Sequence, residues 1–85
     1  MKQFNAMAKL IRAARQFQNM TQAELAKELG YSSCQFVSNI ERGCSTLPLD
    51  KFKKISPLLD LSLDALASAY LVDVKAQIRR HLNLK

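Results

Sequence analysis

Only two glycines occur in this chain, Gly30 and Gly43, and each follows a short amphipathic run. Glycine is favoured at the left-handed position that ends a helix, so each of the two is predicted to end one. Thr21 precedes the first run and Glu24 follows three residues later, which is the pattern of a capping box at a helix N-terminus. Residues 21–43 are therefore predicted to form two short helices whose tight turn fixes the angle between them.

Helical periodicity also dominates the sequence on either side of this segment. Apolar residues recur at spacings of three and four in residues 4–18, after Pro48, and from Ser62 onward. Pro57 lacks an N–H and carries a bulky ring, which predicts a kink or an early helix end near Ser56. The predicted fold class is all-α, with five helices of which the last is extended. At 85 residues, the chain has the length of one domain.

The chain carries a net charge of +6, and the positive charge lies at its two ends. The first 20 residues hold four basic residues and no acidic ones, and residues 71–85 carry a net charge of +3. This distribution suits a polyanionic partner, and a solvated basic surface is the alternative explanation. Neither a membrane span nor a signal peptide is recognisable, so we expect a cytoplasmic protein with no membrane partner.

The sequence offers no pattern for a metal, a cofactor or a small-molecule ligand. Cys34 and Cys44 would lie about 15 Å apart along a helix, whereas a disulfide needs Cα atoms within about 7 Å. The single histidine, His81, is too isolated to complete a metal site with these thiols. No glycine-rich phosphate loop and no nucleophile with a plausible base is recognisable, so we do not expect an enzyme.

The second short helix leaves a polar face once its apolar residues have packed inward. This face consists of Cys34, Gln35, Ser38 and Asn39. Asn and Gln amides carry both a donor and an acceptor, and they can bind adenine through two hydrogen bonds. The pattern favours DNA recognition, with an ordinary solvated surface as the alternative.

Several motifs in fixed order resemble one family. Arg15 stands six residues before Thr21, and the segments TQAELAKELG, VSNIERG and LDLSLDAL follow. With these features, residues 10–66 resemble the Cro/repressor-type (Xre-type) helix-turn-helix family. The resemblance implies a DNA-binding domain over residues 1–70 whose third helix, residues 33–42, enters the major groove.

The resemblance also implies the roles of individual residues. Base contacts are implied for Cys34, Gln35, Phe36, Ser38 and Asn39. Phosphate contacts are implied for Gln22, which opens the second helix, for Ser33, which would cap the third, and for Arg42 and Gly43. A structural ion pair is implied between Arg15 and Glu41, and two exposed charges that never meet are the alternative.

The final helix carries an apolar stripe whose second half has little remaining chain to cover it. We expect residues 71–85 to be a helical extension that forms a homodimer through Tyr70, Val74, Ile78 and Leu82. Two recognition helices about one DNA turn apart would then read an inverted repeat. The alternative is that the helix folds back over Phe4 and Met7 of its own chain.

The sequence therefore predicts a transcriptional regulator, a repressor by its family resemblance, whose partners are a double-stranded DNA operator and a second copy of itself. The rival prediction is a helix-turn-helix module for protein contact, such as an antitoxin or an accessory subunit.

Overall fold

Residues 4–83 are described by a computed structural model, and this part of the chain contains five α-helices and no strand. The final helix is the longest, with 19 residues. The elements are α1 (Asn5–Phe17), α2 (Gln22–Glu28), α3 (Gln35–Glu41), a 3-10 turn (Leu49–Lys51), α4 (Phe52–Leu59) and α5 (Leu63–His81). The predicted all-α class with an extended final helix is confirmed. In the described residues, no helix is both long enough and apolar enough to cross a membrane.

The helix ends follow the signals in the sequence. Thr21 Oγ1 accepts from the Glu24 N–H at 3.0 Å, and the Glu24 carboxylate accepts from the Thr21 N–H at 2.8 Å. The predicted capping box is therefore present. Hydrogen bonds to the carboxylate from Thr21, chiefly from its backbone N–H and then from its side chain, lower the pKa of Glu24. Gly30 and Gly43 adopt φ values of 89° and 78°, which L side chains rarely adopt, just beyond the ends of α2 and α3.

The third helix is shorter than predicted. It begins at Gln35 and ends at Glu41, whereas the sequence predicts residues 33–42. Ser33 nevertheless accepts from the Gln35 N–H through its hydroxyl at 3.3 Å, which is the kind of bond an N-capping serine makes.

The early helix end predicted near Ser56 is wrong, because α4 continues through Pro57 to Leu59. The alternative, a kink at this point, stays a prediction. The proline removes the hydrogen bond to the Lys53 carbonyl, but both residues are exposed, so water can bind that carbonyl. The helix ends instead at Leu59, and the residue that follows it, Asp60, has a left-handed φ of 53°. Ser56 then closes this end, since its carbonyl accepts from a backbone N–H in the next loop at 2.9 Å.

The first helix lies at the centre of the fold and packs against α3, α4 and α5. Burial of each Leu, Ile, Val, Phe or Met side chain in the core stabilises the domain by about 1.5–3 kcal/mol. The core consists of Met7, Ile11, Leu25, Ala26, Leu29, Val37, Ile40, Leu47, Phe52, Ile55, Leu59, Leu66 and Ala69.

A buried carboxylate fixes α5 to the start of α1. Asp73 is 3% exposed, and its two oxygens accept from the backbone N–H groups of Ala6 at 2.8 Å and Met7 at 2.9 Å. The first N–H groups of a helix have no partner within the helix, so this side chain satisfies two of them. Its negative charge also lies where the helix dipole favours an anion. The helix α5 thus passes residue 70 without a break and remains packed on α1 to Asp73.

Candidate nucleic-acid interface

The second and third helices form a helix-turn-helix whose angle is fixed by buried contacts. Leu25 and Ala26 of α2 and Val37 and Ile40 of α3 are at most 1% exposed, and they belong to one apolar cluster. The Tyr31 N–H donates to the Ala26 carbonyl at 2.9 Å and so closes the end of α2. A rigid pair of helices of this kind can present the outer face of α3 to a partner in one orientation.

The outer face of α3 carries a hydrogen-bonded row of polar side chains. Asn39 Oδ1 accepts from Gln35 Nε2 at 2.9 Å and from Arg42 Nη2 at 2.6 Å. Residues four and three positions apart on a helix lie on the same side, which brings the three together. We call Gln35, Asn39 and Arg42 the polar row. Cys34 is exposed beside it, and Ser38 is half-buried.

Phe36 occupies a different environment from the polar row. Its ring stacks on Tyr31, with the ring centroids 4.0 Å apart and the planes at 16°. Lys51 covers Tyr31 in turn, with its ammonium 5.2 Å from the ring centroid. Part of Phe36 is therefore used within the protein, and its base contact remains a prediction.

An ion pair anchors the end of α3 to α1. The Arg15 guanidinium donates to both oxygens of Glu41, at 2.6 and 2.9 Å, and a further N–H donates to the Met20 carbonyl at 2.7 Å. The two side chains are 12% and 3% exposed, so the predicted partners meet in a largely buried contact. The hydrogen bond to Glu41 raises the pKa of Arg15. Because the carboxylate is paired, its burial carries no uncompensated charge.

The residues assigned to phosphate contacts differ in how far they are already bonded. Gln22 Nε2 donates to Glu41 Oε1 at 3.1 Å. Gly43 is buried, and its N–H donates to the Ile40 carbonyl at 3.0 Å while its carbonyl accepts from the Phe4 N–H at 3.2 Å. A phosphate contact by either residue would have to share or replace one of these bonds. Ser33 and Arg42 are exposed.

The four residues assigned to a dimer interface become more exposed to solvent toward the C-terminal end of α5. Tyr70 packs edge-to-face on Phe52, with the centroids 5.9 Å apart, and Val74 is half-buried. Ile78 and Leu82 are 51% and 59% exposed. A shallow apolar groove at this end of α5 is lined by Val74, Gln77, Ile78, His81 and Leu82.

The profile of the helix-turn-helix family matches residues 11–66, from α1 into the start of α5. The chain belongs to the Cro/C1-type, Xre-like helix-turn-helix family. This match spans more than half of the chain and confirms the resemblance found from the motifs. Neither curated proteins nor solved structures gave a match. Family membership identifies a DNA-binding helix-turn-helix domain, and the described residues place its two characteristic helices at α2 and α3.

Three residues that shape these surfaces or hold the helices that carry them were not predicted from the sequence. Tyr31 lies in the turn, where an aromatic residue beside Phe36 was the available signal. Leu71 is 63% exposed and shares a helix face with Ile78, seven positions later. Asp73 follows Leu66 by seven positions and Ala69 by four, so the spacing predicts its place on the buried face of α5, although it does not predict its hydrogen-bond partners.

Proposed function

We propose that this protein is a sequence-specific transcriptional repressor that binds a double-stranded DNA operator as a homodimer and inserts α3 into the major groove. The observation that carries the proposal is the polar row on the outer face of α3. The major groove admits an α-helix, and its base edges are distinguished by their donors and acceptors. Gln35, Asn39 and Arg42 supply donors and acceptors in a fixed arrangement on such a helix. The proposed base-contact surface consists of the amides of Gln35 and Asn39 together with Cys34, Ser38 and the exposed part of Phe36.

Phosphate contacts position the protein on both sides of this surface. Gln22 and Ser33 lie at the starts of the two helices, and Arg42 and Gly43 follow the end of α3. The proposed contacts therefore lie before and after the two amides of the polar row along the chain. The net charge of +6 favours association with a polyanion at any sequence, so the phosphate contacts supply affinity and the amides of Gln35 and Asn39 supply discrimination.

The rival function, a helix-turn-helix used for protein contact, predicts an apolar outer face on α3. The one large apolar side chain there is Phe36, and its ring is stacked on Tyr31 and partly buried. What the face exposes is mainly amide, guanidinium, hydroxyl and thiol groups. This composition supports the DNA-binding proposal.

Dimerisation is proposed through residues 70–82 of α5. The helix packs chiefly on α1 and α4, whereas α3 packs chiefly on α1 and α2, so the two surfaces lie on different parts of the domain. The exposed apolar side chains Ile78 and Leu82 would be buried against the same residues of a second subunit. The two-fold dimer would read an inverted repeat with half-site centres about 34 Å apart.

Binding-site selection from a pool of randomised duplexes tests the proposed function. We expect the protein to enrich one inverted-repeat motif, and we expect footprinting to locate that motif in the DNA upstream of its own coding sequence. A reporter gene downstream of the motif should then lose expression in cytoplasm that contains the protein. Failure to enrich any sequence at low salt would contradict DNA recognition and support the protein-contact alternative.

A further inference from the structure

The hydrogen bonds within the polar row limit what Asn39 can offer to a base. A carbonyl oxygen has two lone pairs, and Asn39 Oδ1 receives two hydrogen bonds, from Gln35 and from Arg42. The acceptor capacity of this side chain is therefore used within the protein. What remains is its amide nitrogen with two N–H donors.

Adenine and guanine differ in the groups that they require from a side chain. Adenine presents the N7 acceptor and the N6 donor in the major groove, so an amide that binds both must have its oxygen available. Guanine presents two acceptors, N7 and O6, and needs only donors. An Asn39 side chain whose oxygen is already saturated thus matches guanine and not adenine.

Gln35, by contrast, keeps both a donor and an acceptor available for a base. One N–H of its amide donates to Asn39, while its other N–H and its carbonyl oxygen remain available. A donor and an acceptor together are what adenine requires. The two amides of the polar row are therefore chemically alike but present different patterns to the groove.

We propose, on the basis of the proposed DNA-binding function, that Arg42 is a specificity-determining residue that holds the Asn39 amide as a donor, so that Asn39 selects guanine and Gln35 selects adenine. Arg42 is a positioning residue in this scheme, since it acts on the base through Asn39. Its bond of 2.6 Å joins a charged donor to the amide oxygen, and charge-assisted bonds are stronger than those between neutral groups. The remaining N–H groups of its guanidinium stay available for a phosphate.

The test compares the sites selected from randomised duplex DNA by the wild-type protein and by Asn39→Ala, Arg42→Ala and Arg42→Lys. Asn39→Ala identifies the base pair that Asn39 contacts, because this variant loses the preference for a particular base at that position of the selected site. We expect guanine at that position for the wild-type protein. Arg42→Ala frees one of the two acceptor positions of Oδ1, because the bond from Gln35 remains. The ratio of affinities for guanine and adenine at that position should therefore shift by about tenfold or more toward adenine. Arg42→Lys keeps a charged donor and should keep guanine.

Two results would overturn this inference while leaving DNA binding intact. One is adenine at the Asn39 position in the wild-type selection. The other is an Arg42→Ala protein that binds every site more weakly with the base preference unchanged, which is the behaviour of a phosphate contact alone. Absence of any enrichment by the wild-type protein would instead contradict the proposed function itself. Arg42 is exposed, and thermal melts of each variant verify that the fold is retained.

Discussion

At the scale of single residues, the buried carboxylate of Glu41 connects three parts of the fold. It accepts from Arg15 of α1 and from Gln22 of α2, and it lies at the end of α3. Glu41→Ala would leave the largely buried guanidinium of Arg15 without its main partner, which costs about 3–5 kcal/mol where burial is deep. We expect a loss in the free energy of unfolding near that range, measured by urea denaturation. Glu28→Ala, at an exposed glutamate of α2, is the matched control and should change stability by about 0.5 kcal/mol or less. Equal midpoints for the two variants would contradict the account.

The capping box gives a second prediction at this scale, on the dependence of stability on pH. The bonds from the Thr21 N–H and hydroxyl lower the pKa of Glu24 in the folded state below its ordinary value of about 4.3. A group with a lowered folded-state pKa contributes stability that is fully present above the unfolded value and is lost as the pH falls through the folded value. The stability difference between wild type and Glu24→Ala should therefore be constant at neutral pH and should shrink below about pH 4.3.

Glu24→Gln provides the control for this measurement. Its amide oxygen can still accept from the Thr21 N–H, but it does not titrate in this range. The difference in unfolding free energy between Glu24→Gln and Glu24→Ala should not change with pH. If the difference between wild type and Glu24→Ala is also constant down to pH 3, the capping bond does not depend on the carboxylate charge.

The residues of the site were predictable to the extent that helical geometry determines them. Gln35 and Asn39 are four positions apart, so a shared outer face follows from 3.6 residues per turn. The bonds that Gln35 and Arg42 donate to Asn39 depend on side-chain rotamers, which periodicity does not specify. Asp73 shows the same limit, because its backbone partners, Ala6 and Met7, lie more than 60 positions away in the sequence.

At the scale of helices, apolar spacing predicted the faces but not how far neighbouring helices cover them. Leu49 and Leu63 follow the helical pattern, yet they are 63% and 45% exposed because they stand in the first turn of their elements. Leu47 is fully buried although it lies in a loop, where there is no helical periodicity from which its burial could be predicted. The sequence predicts a kink or an early helix end at Pro57, but the helix continues, because an exposed carbonyl can take a hydrogen bond from water in place of the missing N–H.

The exposed stripe of α5 carries the prediction that belongs to this scale. Ile78→Glu places a charge where the second subunit is proposed to pack, so we expect a dimeric protein to become monomeric in sedimentation analysis at the same concentration. Val72→Glu is the matched control, since Val72 is 58% exposed and points more than 100° away around the helix from Ile78. Point variants are preferable to truncation after Tyr70, which would also remove the Asp73 carboxylate from α1.

A wild-type protein that sediments as a monomer at micromolar concentration would contradict dimerisation in the absence of DNA. If Ile78→Glu and Val72→Glu weaken the dimer equally, the interface is not centred on Ile78.

At the scale of the whole molecule, α1 connects the two helices that carry the proposed surfaces. It packs against both α3, whose outer face carries the polar row, and α5, which carries the exposed stripe. The domain measures 39 × 24 × 22 Å, so two copies joined through α5 have dimensions compatible with recognition helices about one DNA turn apart. The ion pair of Arg15 with Glu41 and the bonds of Asp73 to α1 hold both helices to this common element.

The central claim is that α3 reads bases while the charge of the protein binds phosphates, and affinity on two duplexes over a salt series tests it most directly. The dissociation constant is measured for wild type and Asn39→Ala on the selected site and on a random duplex of the same length. We expect Asn39→Ala to lose about 1–3 kcal/mol on the selected site and little on the random duplex. For wild type, log affinity should fall with log salt by about 0.9 for each phosphate neutralised. Equal losses on both duplexes, or an affinity that does not respond to salt, would contradict the account.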